Sequence, residues 1–178
     1  AMSVSDWRTQ GVSGNPNANV PGWGNYQGTF QYTLSGTSAP ATQVGPVVPT
    51  GLLSLTWDTT SGTWDKSSQN WSDGGASSPT FYNLDSVAFT SDAGGTVTVT
   101  GTQSPGAFTV SASSGTYTFA GGAIGGYSSL AKSGDGTAVF TSPNAWTGGT
   151  TLSAGTLRGG NDAAFGTGTI ALDGGTIA

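Results

Sequence analysis

The chain has 178 residues, of which 34% are hydrophobic and 10% aromatic, enough apolar material for one domain or two small domains with a real core. Only 7% of the residues are charged and the net charge is −5, so nucleic acid and anionic membranes are poor partners and the surface must consist mostly of Thr, Ser, Asn and Gly. Cysteine is absent, which excludes disulfides and thiolate metal sites, and no apolar run approaches the roughly 20 residues of a membrane-spanning helix, so we expect no membrane insertion.

Residues 1–50 are set apart by their proline content. They hold five of the eight prolines of the chain, namely Pro16, Pro21, Pro40, Pro46 and Pro49. Because proline cannot donate to a sheet ladder, this segment is expected to be mostly loop, with one strand in "TFQYTLSG" at residues 29–36. We interpret it as an N-terminal cap or extension, with Trp7, Trp23 and Tyr26 packing it onto the rest of the chain.

Residues 51–178 show a different pattern, in which short alternating strands are separated by glycine-rich turns. In "TVTVTG", Val97 and Val99 share one face and the threonines share the other, and Phe108 and Val110 do the same in "AFTVSA". No stretch combines helical spacing, caps and length, so almost no α-helix is expected.

A Gly-Thr step opens most of these predicted strands. It occurs at Gly95, Gly115, Gly136, Gly149, Gly155, Gly168 and Gly175. Glycine would supply the turn conformation, Thr would face water, and the next apolar residue would face inward. A step repeated at short intervals without hairpin-type Asn-Gly turns favours a solenoid with parallel coils. An antiparallel sandwich explains the alternation equally well, but explains the density of Gly-Thr corners less easily.

The segment "SLAKSGDGTAVFTSPNAWTGGTTLSAGTLRGGNDAAFGTGTIALDGGTIA" resembles the autotransporter-associated β-strand repeat, found in passenger regions of bacterial autotransporters and other large secreted surface proteins. The matching positions are Gly134, Gly136, Thr137, Asn144, Trp146, Gly148, Gly149, Thr150, Leu152, Gly155, Leu157, Phe165, Gly166, Gly168 and Gly174. With similar upstream segments, the resemblance covers residues 55–178 and leaves the first fifty unexplained. It implies a right-handed parallel β-helix exported from the cell, and it carries no catalytic residues or cofactor to transfer.

Catalytic chemistry has few candidate residues in this chain. There is no His and no Glu, so nine Asp are the only side-chain carboxylates. Asp58, Asp65 and Asp73 lie in a Trp-rich stretch where paired carboxylates could sit, although turn and surface roles are favoured for Asp. A single degenerate copy of a calcium-binding nonapeptide in "GGNDAAFG" leaves calcium at Asp162 or Asp135 as a minor alternative, and we expect no metal site.

Trp57, Trp64 and Trp71 are spaced by seven residues and are the candidate ligand-binding residues. An exposed row of aromatic faces could stack on the sugar rings of a surface glycan. The alternative is that they plug the open end of the solenoid, which we favour for at least one or two of the three, since a solenoid needs a cap. Trp146 is expected to be structural because it belongs to the repeat pattern.

Together these observations predict an all-β, right-handed parallel β-helix with an N-terminal Pro/Gly-rich cap at 1–50 and coils at 51–178. We expect a non-catalytic structural stalk or adhesion scaffold of a secreted or surface-displayed bacterial protein. The alternatives are a carbohydrate-binding module using exposed Trp residues and a fragment of a polysaccharide-active β-helix enzyme.

The C-terminal coil carries two further expectations. Leu152, Leu157, Ile170 and Leu172 should point into one stacked interior. The final strand has no polar or Pro-rich closing element behind it, so we expect the parent protein to continue with further coils and the isolated chain to self-associate through its open C-terminal edge.

Overall fold

The computed structural model describes residues 51–75 and 78–178, and this part of the chain contains strands and no helix. The predicted strand at 29–36 and the packing of Trp7, Trp23 and Tyr26 lie outside the described residues. The strands are β1 (Ser54–Trp57), β2 (Gly62–Trp64), β3 (Trp71–Ser72), β4 (Ser86–Phe89), β5 (Gly95–Gln103), β6 (Phe108–Val110), β7 (Thr116–Gly126), β8 (Leu130–Lys132), β9 (Thr137–Phe140), β10 (Ala145–Trp146), β11 (Thr150–Leu152), β12 (Thr156–Gly159), β13 (Ile170–Leu172) and β14 (Thr176–Ile177).

Apart from β3 and β10, the strands alternate between two sheets. Sheet A has the order β13-β11-β8-β6-β4-β1-β3 and sheet B the order β14-β12-β9-β7-β5-β2, while β10 pairs with the end of β7. Every pairing is parallel except the one between β1 and β3. Consecutive strands of one sheet are therefore joined through the other sheet, which is the topology of a β-solenoid. The prediction of an all-β, parallel β-helix is confirmed in the described residues.

Alternation along each strand builds the interior. Every strand of sheet A except β3 has two inward positions. The parallel register aligns these positions in two ranks, which are rows of side chains along the solenoid axis. The first rank contains Leu55, Val87, Phe108, Leu130, Thr150 and Ile170, and the second contains Trp57, Phe89, Val110, Lys132, Leu152 and Leu172. The predicted inward positions Val97, Val99, Phe108 and Val110 are all buried. Apolar side chains thus meet the equivalent side chains of the neighbouring coils along most of the axis, and Thr150 and Lys132 are the two polar members of these ranks.

Gly-Thr steps mark the corners, as predicted. The Thr begins a strand in β7, β9, β11, β12 and β14, and lies one residue before β13. Gly155 shows why glycine is needed, because its φ is +71° and a Cβ there would meet the carbonyl oxygens of Gly134 and Gly136. The expectation that each such Thr faces water is wrong at Thr150, which is buried because it occupies an inward position of β11.

The C-terminal coil differs from the predicted interior. Leu152 and Leu157 are fully buried, whereas Ile170 and Leu172 are 43% and 63% exposed. Ile170 and Leu172 hold inward positions in register with Thr150 and Leu152. They are exposed because, among the described residues, β13 pairs only with β11 and no strand covers its other side. Their predicted burial is therefore wrong in this chain.

Candidate functional site

Trp57, Trp64 and Trp71 lie in the interior and not on the surface. Their exposed fractions are 2%, 0% and 0%. Trp57 ends β1, Trp64 ends β2, and Trp71 begins β3, the short strand that pairs antiparallel with β1. A sugar ring can stack only on an exposed aromatic face. These three indoles offer none, so the exposed platform predicted from their spacing is not formed.

The three indoles instead form an aromatic cluster. Trp71 meets Trp57 edge to face with ring centroids 5.0 Å apart, and it meets Trp64 in the same manner at 5.4 Å. Trp64 also meets Phe81 at 5.3 Å with perpendicular planes. The indole Nε1 atoms of all three are buried without a hydrogen-bond partner. The cluster lies at the N-terminal end of the described solenoid, where β3 and β2 are the outermost strands of the two sheets, which is the position that the plug alternative predicts.

The aspartates of the Trp-rich stretch act in turns. Asp65 accepts hydrogen bonds from the backbone N–H groups of Ser67 and Ser68, which hold the pKa of its carboxyl below the usual value. Asp73 accepts the N–H of Gly75 in the same way. The expected turn roles are thus confirmed for these two carboxylates.

Metal-ligating side chains do not gather in the described part of the chain. No three Asp side chains come close enough together there to hold an ion, and this includes Asp135 and Asp162. Both of these aspartates are exposed. The minor alternative of a calcium ion at Asp162 or Asp135 therefore gains no support from the geometry.

Asn144 joins three successive levels of the solenoid. Its Oδ1 accepts the backbone N–H of Ile124 at 2.8 Å, and its Nδ2 donates to the carbonyls of Ala164 at 2.8 Å and Ser142 at 3.1 Å. Its own backbone N–H donates to the carbonyl of Ala163. Asn144 is 6% exposed, and its bonds to Ile124 and Ala164 are buried. Its amide therefore substitutes for ladder bonds where the strands are interrupted.

Lys132 is a buried cation inside the solenoid. It holds an inward position of β8 and is only 1% exposed. Its Nζ donates three hydrogen bonds, to the carbonyl oxygens of Ser133 at 2.7 Å, Gly134 at 2.6 Å and Ala154 at 3.2 Å. Since Ala154 belongs to the next coil, the ammonium joins two corners. Burial lowers the pKa of Lys132, while the charge of Asp135 acts in the opposite direction.

Trp146 and Thr150 form a second buried polar contact. The indole Nε1 of Trp146 donates to Thr150 Oγ1 at 3.0 Å, and Thr150 Oγ1 donates to the carbonyl of Phe165 at 3.3 Å. Both side chains are buried. Trp146 is therefore structural, as predicted, and Thr150 turns inward because its hydroxyl satisfies both partners.

Asp92 performs the same joining role on the surface. Its carboxylate accepts the hydroxyl and backbone N–H of Ser113 and the backbone N–H of Ser114, about one coil later. These bonds, led by the Ser113 hydroxyl, keep the pKa of Asp92 below its usual value. The sequence did not lead us to Asp92. It also did not predict that Asn144 joins coils or that Lys132 is buried. Strand alternation in "LAK" already places Lys132 on the same side as Leu130, and this signal could have identified it.

Exposed large apolar side chains gather at one corner of the solenoid. Tyr127 is 94% exposed, and Tyr82 and Leu84 are each 52% exposed. The N–H of Leu84 donates to the carbonyl of Ser104, and a Cβ on Gly126 would lie 3.0 Å from the Cβ of Ser104, so the three loops stack on one another. We call Tyr82, Leu84 and Tyr127 the apolar corner. Leu84 also has a φ of +78°, a strained conformation for a leucine.

No helix in the described part of the chain is long and apolar enough to cross a membrane.

Comparison with known proteins identifies the repeat. The passenger-associated-transport-repeat family matches residues 130–158, the segment from β8 to β12 that contains Lys132, Asn144 and Trp146. The "Adhesin BmaC autotransporter" of Brucella suis biovar 1 (strain 1330) is 43% identical over 67 residues, which is 38% of this chain and 2% of that protein. The chain thus spans only a small part of the length of this relative. No solved structure matches the chain significantly. The resemblance to an autotransporter passenger repeat is confirmed, and the matched segment contains two of the residues that join successive coils, Lys132 and Asn144.

Proposed function

Since residues 130–158 are a passenger-type transport repeat, we propose that this chain is a non-catalytic stalk segment of a secreted, surface-displayed bacterial adhesion protein. The observation that carries the proposal is the position of the repeat inside a continuous solenoid. Its strands β8, β9, β11 and β12 pair with coils on both sides. A relative named as an adhesin autotransporter supports the same assignment.

The interior supports a load-bearing role. Parallel strands advance about 4.8 Å per coil along the axis, so each coil adds length while contacting only its neighbours. Asn144, Lys132 and Asp92 each hydrogen-bond from one level to another, which adds polar links to the apolar stack. A solenoid with polar links between several of its coils suits a segment that holds a binding domain away from the cell surface.

The experiment is surface display of the 178-residue chain between an N-terminal epitope and a translocation barrel in a Gram-negative host. We expect antibody to label the epitope on intact cells and added protease to leave residues 52–178 intact. A matched variant carrying Leu152→Ala and Leu157→Ala should lose protease resistance, because both side chains are fully buried. An epitope that stays inside the cell, or equal digestion of both variants, would contradict the proposal.

A second candidate function rests on the apolar corner. A glycan-binding surface needs solvent-facing aromatic side chains on one side of the protein. Tyr82 and Tyr127 are exposed at one corner, and all three side chains of the apolar corner are uncharged. We propose that this corner contacts a neutral saccharide. Binding of the purified chain to an array of neutral glycans should be lost in Tyr127→Ala and kept in Thr151→Ala, an exposed position on sheet A. Binding that is unchanged in Tyr127→Ala and Tyr82→Ala would place the contact elsewhere.

A further inference from the structure

The side chains of the apolar corner follow the spacing of the coils. Leu84, Pro105 and Tyr127 each lie three residues before aligned residues of β4, β6 and β8, so they occupy the same corner position on three successive coils. Leu84 and Tyr127 are exposed, whereas Pro105 between them is buried. Tyr82 is exposed in the same turn as Leu84. The rings of Tyr82 and Tyr127 therefore belong to coils that are two strand spacings apart along the axis, about 10 Å.

The turn that presents Tyr82 and Leu84 is fixed in place. The buried carboxylate of Asp85 accepts the backbone N–H of Tyr82 at 2.8 Å. Asn83 Oδ1 accepts the N–H of Ser104 at 3.2 Å, and the N–H of Leu84 donates to the carbonyl of Ser104 at 2.9 Å. Leu84 keeps its φ of +78° although its side chain is exposed, so burial of this side chain does not offset the strain. A ligand would therefore meet a preorganised surface.

The corner is also free of charge. Residues 82–84, 104–106 and 126–128, which form its three loops, contain no charged side chain, and the neighbouring carboxylate of Asp85 is buried. An ionic ligand would find no counter-charge among these residues. The C–H face of a neutral pyranose ring needs none, because it packs directly on the face of a tyrosine.

We propose that the apolar corner binds an extended, β-1,4-linked neutral polysaccharide whose chain runs parallel to the solenoid axis. This inference rests on the glycan-binding function proposed above for the same corner. In a chain of this linkage each pyranose residue is close in length to one strand spacing, about 4.8 Å, and every second ring presents the same face to one side. The first and third rings then stack on Tyr82 and Tyr127. The second ring lies over the coil of Ser104, which is half-buried.

Linkage geometry provides the first test. Isothermal titration calorimetry compares β-1,4-linked tetrasaccharides of glucose, mannose and N-acetylglucosamine with maltotetraose, the α-1,4-linked tetrasaccharide of glucose. At least one β-1,4-linked compound should bind about tenfold more tightly than maltotetraose, because an α-1,4-linked chain curls away from the line between the two tyrosines. For the compound that binds, affinity should rise most between the disaccharide and the trisaccharide, the shortest chain that reaches both rings. A disaccharide that binds as tightly as the trisaccharide would overturn the proposal.

Substitutions of the two tyrosines provide the second test. Tyr127→Ala and Tyr82→Ala should each weaken binding of the trisaccharide by about tenfold, since each removes one stacking contact. Tyr127→Phe keeps the ring and should bind as the parent chain does. Both positions are exposed, so the variants should keep the far-UV spectrum of the parent.

The outcomes separate this inference from the function on which it rests. Equal affinity for maltotetraose and the β-1,4-linked compounds, or binding limited to neutral glycans of other linkages, would overturn the axial arrangement and leave the neutral-saccharide proposal standing. Absence of binding to every neutral glycan tested would overturn both.

Discussion

Asn144 Oδ1 accepts the backbone N–H of Ile124, 2.8 Å away and 20 residues earlier in the chain. Its Nδ2 meanwhile donates to Ala164 in the following coil. One side chain therefore satisfies backbone groups of the coil before it and the coil after it. This explains how the solenoid stays continuous through "SPNAW", where Pro143 lies outside the strands and only the two-residue β10 forms.

We predict that Asn144→Ala destabilises the chain by about 2 to 4 kcal/mol, because it leaves buried backbone groups without partners. The free energy of unfolding is measured by urea titration. The control is Ser142→Ala, which removes a single hydroxyl bond to the carbonyl of Gly121 at a position that is not buried, and should cost less than about 1 kcal/mol. Equal losses in the two variants would show that the Asn144 amide does not join the coils.

The sequence predicts the strands of the solenoid better than it predicts the buried polar contacts between the coils. Alternation in "TVTVTG" and "AFTVSA" identifies the buried side chains Val97, Val99, Phe108 and Val110, because a strand has only two faces. Spacing alone does not distinguish an exposed row of Trp from a buried cluster. Trp57, Trp64 and Trp71 are brought together by the antiparallel return of β3 onto β1, a long-range contact that no local pattern records.

Thr150 illustrates the same limit on the scale of one residue. The Gly-Thr rule assigns it to the surface, but its strand is shifted so that Thr150 and Leu152 both face inward. The inward hydroxyl is stabilised by the indole of Trp146 in β10 and by the carbonyl of Phe165, which lies in the turn between β12 and β13. Exposure of Ile170 and Leu172 likewise depends on which strands cover them, and alternation within β13 contains no information about that.

The inward assignment of leucines gives a second prediction. Leu157→Ala should cost roughly 2 to 5 kcal/mol, since Leu157 is fully buried and its removal leaves a cavity. Leu172→Ala removes the same atoms from a side chain that is 63% exposed, and should cost less than about 1 kcal/mol. Urea unfolding at a concentration where the chain is monomeric compares them. A loss below half a kcal/mol for Leu157→Ala would contradict its place in the core.

Thr150 provides a third prediction, which separates its hydroxyl from its shape. Thr150→Val keeps the volume but leaves the indole N–H of Trp146 buried without an acceptor, and should cost about 1 to 3 kcal/mol. Thr150→Ser keeps the hydroxyl and loses one methyl group, at a cost near 1 kcal/mol. The amide and indole proton spectrum provides an independent readout, because the Trp146 indole proton should exchange faster with solvent in Thr150→Val than in Thr150→Ser.

Lys132 gives the fourth prediction, a dependence of stability on pH. Burial lowers the pKa of Lys132 in the folded chain below the ordinary value of 10.5, so at neutral pH the folded state carries the cost of burying a charge. Between the lowered pKa and 10.5 the unfolded chain binds more protons than the folded chain. Stability contributed by this group must therefore rise with pH through that window, and the contribution is constant at lower pH where both states are protonated.

The measurement compares the free energy of unfolding of the parent chain with that of Lys132→Met from pH 7 to pH 10. Other titrating groups, including Tyr117, contribute to both proteins, so the difference isolates Lys132. We expect the parent chain to gain stability relative to Lys132→Met as the pH rises. A difference that stays flat would contradict the prediction and mean that the three carbonyl oxygens of Ser133, Gly134 and Ala154 fully compensate the ammonium for its loss of water. A difference that falls with pH would mean that they stabilise the ammonium more than water does.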